Sequence, residues 1–403
     1  CAVLGARAGR VASGHSAAAA ARVAEGFSPK PLLVGVLARP ASWAARAPTR
    51  LNQHFSGPAK SVKGPLPPQG QALKWVRLRA PLRVEPGANL VQATLPWRLE
   101  TLEELSNSAR GSVWRCRLTT EDGTAEDVAV KIERLYSTSR EGVLTRSKAM
   151  REAEAMELFN GGPFVDYHGF WERRGDFFLI MGLAETTLEE AVLAERFEVW
   201  DLAARLKVFA ELMNGLKLMA DREYAHRAIC PGNLLVQVDD YGIQLKIGDF
   251  AHARFLGKVP GETSSADDAT RRNVGAPLYR SPEGWAGNWT LKSDVYSAGL
   301  VLYRLIFEGS MPTLPGKIRP GHRDYVELFS EYDVRKDHLV NAARVMAHLH
   351  DDAAQILDVL RRMLARDESE RASSEEVFEA LSAMPAPTAK AEEIFRVASR
   401  LHR

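Results

Sequence analysis

The chain has 403 residues, 45% hydrophobic and 26% charged, with 53 basic against 51 acidic side chains. So even a balance gives no general positive field, and nucleic acid is not expected as a partner. Three cysteines, Cys1, Cys116 and Cys230, are too scattered for a disulfide framework or a metal cage and point to a reducing compartment, and no apolar run approaches the ~20 residues of a transmembrane helix.

Residues 1–92 differ from the rest. Glu25 and Glu85 are the only acidic residues before Glu100, while Arg7, Arg10, Arg22, Arg39, Arg46 and Arg50 recur among Ala, Ser, Gly and Pro. That composition suits either an organelle-targeting extension or a disordered one without an address, on an intracellular, otherwise cytoplasmic protein. Residues 17–24 read as a short helix and 57–70 as a Pro/Gly-rich linker.

From about residue 95 the pattern is that of a folded domain. Residues 97–105 and 112–118 read as paired strands joined by Ser106-Asn107-Ser108-Ala109-Arg110-Gly111, by itself an ordinary hairpin. Val128-Ala129-Val130-Lys131-Ile132 reads as a strand, and residues 151–159 as a helix carrying Glu152, Glu154 and Glu157 on different azimuths. Strands follow at 164–172 and 177–183, the second ending in Met181-Gly182-Leu183. A core helix over 203–224, with Leu206, Phe209, Leu212, Met213, Leu216 and Met219 at helical spacing, leads to His226-Arg227-Ala228-Ile229-Cys230-Pro231-Gly232-Asn233. Apolar runs at 234–238 and 243–247 precede Asp249-Phe250-Ala251, and Gly275-Ala276-Pro277-Leu278-Tyr279-Arg280-Ser281-Pro282-Glu283 comes later. A helix over 293–303 begins Ser293-Asp294-Val295, and Leu360–Leu364 is followed by Asp367 and Arg371. Residues 310–350 carry no readable motif, and 389–401 read as an amphipathic helix expected to pack against the domain.

In order and spacing these motifs resemble the protein kinase family, whose signatures are a Gly-rich turn, V-A-I-K, H-R-D-x-x-x-x-N, D-F-G and A-P-E. The resemblance covers about 95–384 and implies an α+β, two-lobed fold: a β-rich N-terminal lobe with one helix (95–183), a mainly helical C-terminal lobe (184–384), and a tail or helix at 385–403. It implies ATP and Mg2+ as ligands. Ser106, Ser108, Gly111, Val113, Ala129, Lys131 with its partner Glu152, and the hinge residues Met181 and Leu183 would then face ATP, and Asn233 and Asp249 would hold the metal. His226, Arg227, Asp294 and a buried Glu283–Arg371 ion pair would be structural.

The departures from the pattern decide the expected function. Ala228 stands where the family has its catalytic aspartate, and a methyl group cannot accept a proton. Cys230 replaces the loop lysine, Ala276 a threonine that bonds both, Ser106 and Ser108 two glycines, and Ala251 the last D-F-G residue. In the family pattern the losses at Ala228, Cys230 and Ala276 all lie on the phosphoacceptor side. A pseudokinase is therefore expected, binding ATP and Mg2+ and acting as scaffold or allosteric regulator of an unidentified protein or kinase. The alternatives are an atypical, active or weakly active serine/threonine kinase and a nucleotide-free interaction module. Thr263, Ser264, Ser265 and Thr270 are candidate phosphosites within reach of Arg227.

Overall fold

The computed structural model describes residues 98–400 with breaks at 109–110, 121, 136–139, 174, 194–199, 240–241, 258–273 and 349. The N-terminal extension, its helix at 17–24, the linker at 57–70 and all four candidate phosphosites lie outside the described residues.

The N-terminal half is one antiparallel sheet in the order β1-β2-β3-β5-β4, built from β1 (Arg98–Ser108), β2 (Gly111–Thr119), β3 (Ala125–Arg134), β4 (Tyr167–Arg173) and β5 (Asp176–Gly182). Helix α1 (Arg140–Leu158) crosses between β3 and β4. Two elements are longer than the sequence reading. β1 runs on through Ser106 to Ser108, which pairs with Gly111, so the six-residue turn expected at 106–111 contracts to a connection at 109–110. Bulges near Thr101 and Glu104 shift the register so that the strand can continue. α1 begins eleven residues before 151, because its first turns, REGVLTRSK, have no apolar repeat that marks a helix.

The rest is mainly helical. β6 (Thr186–Thr187) leads into α2 (Leu188–Leu193) and α3 (Leu202–Ala220), whose first turn is capped by the Asp201 carboxylate accepting from Ala204 N at 2.7 Å. β7 (Tyr224–Ala225) precedes the hairpin of β8 (Leu234–Asp239) and β9 (Gly242–Ile247), and β10 (Arg254–Phe255) pairs back onto β7. α4 (Pro282–Trp285) and α5 (Leu291–Ile306) follow. Every residue of α5 from Ser293 to Ile306 is buried, so it is the axis of this half and not a surface helix. The region without a readable motif holds α6 (Tyr325–Glu331) and α7 (His338–Ala347). Fully buried Asp337 ties it to α5, accepting from Tyr303 Oη at 2.7 Å and capping α7 through Leu339 N at 2.9 Å. α8 (Asp351–Met363), α9 (Ser374–Ala383) and α10 (Ala389–Arg400) complete the chain. α10 packs as expected, with Ala391, Ile394, Phe395 and Ala398 buried and Phe395 edge-on to Phe307 at 5.9 Å.

Candidate nucleotide site

Sheet register brings the first group of site residues together. Directly opposed residues of an antiparallel pair share a face. Ser106 opposes Val113, Val113 opposes Lys131, and Lys131 opposes Leu179, while Ala129 opposes Met181 in the next row. Ser106, Val113, Ala129, Lys131 and Met181 thus line one face. The backbone of Ser108 lies beside Gly111, and its side chain is outside the described atoms. Gly111 has a packing reason to be glycine: a Cβ there would collide with the Ile132 carbonyl oxygen of β3. Leu183 follows β5, and its carbonyl accepts from Gln237 Nε2 at 3.2 Å.

On the same face α1 delivers Glu152. Lys131 Nζ donates to both Glu152 oxygens at 2.8 and 2.9 Å and lies 3.4 Å from Asp249 Oδ1 and 3.6 Å from Glu133. Glu154 and Glu157 are exposed and take no part. Burial opposes the Lys131 charge, yet the carboxylates of Glu152, Asp249 and Glu133 outweigh it and hold the lysine above its ordinary value. Burial pushes Glu152 upward, against the pull of Lys131. Asp249 is held well below the usual carboxylate range: burial works against its charge, but Lys131 foremost overcomes that. Its side chain is 40% exposed, so this fixed negative charge faces the open cleft.

The loop below is held by backbone contacts. Asp294 of α5 accepts from His226 N at 2.6 Å and Arg227 N at 2.8 Å, His226 Nε2 donates to Gly248 O at 3.1 Å, and Arg227 Nε donates to His252 O at 2.8 Å. Arg227 is left-handed at φ 62°, and Gly275, at φ 77°, brings its backbone so near the Arg227 carbonyl that a Cβ would collide with it. Asn233 Nδ2 donates to Ala228 O at 2.8 Å and Asn233 O accepts from Gly248 N at 2.9 Å, which links the loop to the turn bearing Asp249. Asp249 itself is left-handed at φ 55°, stacked behind by Phe250, whose ring packs 5.1 Å from His226 and 6.1 Å from Phe159. Ala251 lies in the 3-10 turn Phe250–His252 without a positive φ, so its methyl costs the backbone nothing there.

A divalent cation fits the donor set. With the Asn233 amide nitrogen donated to Ala228, its Oδ1 is the atom left for a metal, beside one ionised carboxylate at 249. Among the described residues no group of three or more His, Cys, Asp or Glu forms a protein cage. One carboxylate and one amide, with phosphate and water completing the shell, is the sparse protein ligation that Mg2+ tolerates.

The residues at 228, 230 and 276 bring no charged group to the loop. Ala228 is buried, with no polar atom beyond its backbone. Cys230 is buried, which pushes its thiol up to about 11, so it carries no charge at neutral pH and cannot stand in for a lysine. Ala276 packs half-buried on the core. Sequence reasoning missed the network beside them: Arg304 of α5 donates to both Glu189 oxygens at 3.0 and 2.7 Å and to Tyr279 Oη at 2.7 Å. The only hint was an arginine in the apolar C-terminal half of its helix, Leu300–Ile306. Beneath the site, Arg371 meets Glu283 at 2.7 and 3.0 Å, and Glu283 also accepts from Ser293 Oγ at 2.6 Å.

The profile of the protein kinase domain matches residues 100–381. The chain belongs to the protein kinase family. This protein kinase domain, with its β-sheet N-terminal lobe and helical C-terminal lobe, is 34% identical over 116 residues to the serine/threonine-protein kinase atg1 of Dictyostelium discoideum, covering 27% of this chain and 16% of that one. It is 28% identical over 231 residues to the serine/threonine-protein kinase PEPKR2 of Arabidopsis thaliana, 57% of this chain and 43% of the relative. Cyclin-dependent kinase D-1 of Oryza sativa subsp. indica is 27% identical over 280 residues, 66% of this chain and 63% of the relative. The kinase-family chain therefore spans less than two thirds of each of these curated relatives. No described helix is long and apolar enough to cross a membrane.

Proposed function

We propose that this chain is a pseudokinase that binds ATP with Mg2+ and regulates or scaffolds another protein, itself transferring no phosphoryl group at a useful rate. One contrast carries the reading: Lys131 is closed onto Glu152 at 2.8 Å and Asp249 faces the cleft, whereas the base position holds the buried methyl of Ala228. Lys131 would hold phosphate oxygens, Glu152 would fix its ammonium, and Asn233 and Asp249 would hold the cation. Bound Mg2+ neutralises phosphate charge. No described side chain at 228 or 230 can take a proton from an acceptor hydroxyl or stabilise the moving phosphoryl group.

The closed Lys131–Glu152 pair also favours a second reading, an active serine/threonine kinase of unusual mechanism, because positioning and electrostatics supply most of phosphoryl-transfer catalysis. Transfer of labelled phosphate from ATP to a basic protein substrate separates the two. The native chain and Ala228→Asp are expected to give background, since an aspartate placed alone lacks the groups that orient it. The combination Ala228→Asp, Cys230→Lys and Ala276→Thr is expected to raise transfer measurably, as a correctly placed base adds a factor of about 10² to 10⁴. Robust turnover by the native chain, abolished by Asp249→Ala, would overturn the pseudokinase.

A further inference from the structure

A third carboxylate faces Lys131 beside Glu152 and Asp249. Glu133 stands two residues beyond Lys131 on β3, so both side chains leave the same face of the sheet. In its row Glu133 lies between Gly111 of β2 and Phe177 of β5. Gly111 has no side chain, so the opposed position of β2 puts nothing between Glu133 and the connection at 109–110. The Glu133 side chain is only 13% exposed, and its ion pair with Lys131 Nζ, at 3.6 Å, is too long for a hydrogen bond. Lysine has three donors. Two are on Glu152 at 2.8 and 2.9 Å and the third leans to Asp249 at 3.4 Å, so none is left for Glu133. Three carboxylates therefore share one ammonium, and Glu133 takes no hydrogen bond among the described residues. A carboxylate so buried and so poorly satisfied needs a reason to be there. Among the described residues these acids form no metal cage, so Glu133 acts through its charge and not as one of a ligand set.

We propose that Glu133 makes nucleotide binding conditional on a divalent cation: its fixed charge turns away the phosphates of free ATP and admits them once Mg2+ has cancelled part of their charge. This role rests on the proposed nucleotide site. Glu133 is 3.6 Å from Lys131 Nζ, so a phosphate oxygen accepting from that nitrogen at ~2.9 Å would be at most about 6.5 Å from the Glu133 oxygen. That is inside the Debye length of ~10 Å at 0.1 M salt, so the repulsion is not screened away. At the effective dielectric of a protein surface, a unit charge at this range changes affinity by more than about tenfold. Lys131 cannot offset it in full, because Glu152 and Asp249 already claim its charge. Mg2+ on the nucleotide neutralises phosphate charge and so removes much of what Glu133 repels. By linkage, the factor by which Mg2+ strengthens ATP binding is larger with a carboxylate at 133 than without one. Adenosine, which carries no phosphate, does not sense it.

Isothermal titration of ATP and of adenosine, in EDTA and in excess Mg2+ at about 0.1 M salt, is run on the native chain, Glu133→Gln and Glu133→Asp. The ratio of the ATP Kd in EDTA to that in Mg2+ is expected to fall by about tenfold or more in Glu133→Gln, and to stay within about threefold of native in Glu133→Asp, which keeps the charge. Adenosine is expected to bind all three chains alike, which a mere loss of packing at 133 would not give. An unchanged ratio in folded Glu133→Gln overturns the proposal. So does an equal fall in Glu133→Asp, since shape and not charge would then be the cause. Should Glu133→Gln not fold, the native chain decides: in EDTA it is expected to hold ATP no more tightly than adenosine, and a preference for ATP of about tenfold there refutes the repulsion. No binding of either ligand to any of the chains in either buffer would sink the nucleotide site and this role with it, whereas ATP binding with an unchanged ratio sinks the role of Glu133 alone.

Discussion

Replacing Glu283 by alanine isolates what holds the C-terminal lobe around its active-site loops. Arg371 is fully buried and Glu283 is 15% exposed. The guanidinium keeps three backbone acceptors when the carboxylate goes: Ala365 O at 3.0 Å, Lys292 O at 2.9 Å and Arg366 O at 3.3 Å, and it remains 5.1 Å from the Tyr296 ring. What it loses is its counter-charge, and Ser293 Oγ loses its acceptor with it. Breaking a buried pair from one side costs about 3–5 kcal/mol. The surviving carbonyls put this case at the lower end, about 3 kcal/mol. For a domain of this size that lowers the melting temperature by about 6 °C. Differential scanning fluorimetry reads the shift, and a nucleotide titration of the same variant is expected to give an unchanged Kd, because Glu283 lies on α4, beyond the loop that carries Asn233. An unchanged melting temperature would refute the reasoning, since it would mean that the guanidinium is adequately solvated without its partner. Burial works against the Glu283 charge, but the Arg371 bonds outweigh it and leave its pKa below the ordinary value. Its contribution is therefore present above the unfolded pKa and lost as pH falls through the folded one, so the gap between the native chain and Glu283→Gln is expected to narrow in acid.

ATP with Mg2+ is expected to raise the melting temperature of the native chain, and Asp249→Asn to remove the Mg2+ dependence before it removes all binding; no shift at several millimolar ATP on a folded protein would sink the nucleotide site. Burial holds His226 at about 4, below its ordinary 6.5. The unfolded chain binds a proton in that window that the fold refuses, so stability is expected to fall as pH drops from 6.5 to 4, and His226→Phe to flatten that limb in melts across pH. Gly275→Ala is expected to destabilise by about 2 kcal/mol in urea unfolding, from its positive φ and its collision with the Arg227 carbonyl; a neutral result would show that the 274–276 segment can move aside.

What could be read from the sequence was whatever chemistry pins to a fixed spacing. Lys131, Glu152, Asn233, Asp249, Asp294, Glu283 and Arg371 were legible because each must reach a partner set by the fold, and the structure brings the first two within 2.8 Å and the last two within 2.7 Å. Elements held by packing alone were harder to see. The first turns of α1 are polar, so no period marks them, and α6 and α7 depend on one buried acid, Asp337, whose role exists only once α5 is beside it. Gly111 was legible as a glycine but for one reason out of two: the Ile132 carbonyl of a neighbouring strand forbids a side chain there whatever the nucleotide does. The Arg304–Glu189–Tyr279 network joins residues far apart in sequence, and no local pattern announces it.

The three acceptor-side replacements gain meaning from where they sit. Ala228 and Cys230 are buried, and Ala276 rests against the same core. Each is apolar or uncharged, and such groups can be left without partners in a water-poor site. A lone aspartate at 228 would put a buried carboxylate beside a neutral thiol and a methyl group, while Lys131 is already shared among Glu152, Asp249 and Glu133. Burial without compensation shifts such a carboxyl toward its neutral form, which can neither orient a hydroxyl nor accept its proton. A lone lysine at 230 meets the converse difficulty: with no aspartate opposite, its ammonium is a buried charge without an acid partner. Each charge makes the other tolerable, and the hydroxyl of a threonine at 276 bridges them. Either charge introduced alone is therefore expected to lower stability more than the triple replacement does, which melting temperatures of the single and triple variants would read. On the nucleotide side the reverse holds. The Lys131 ammonium lies between the Glu152 and Asp249 carboxylates, so the charged groups on that side have partners whatever residues stand at 228, 230 and 276.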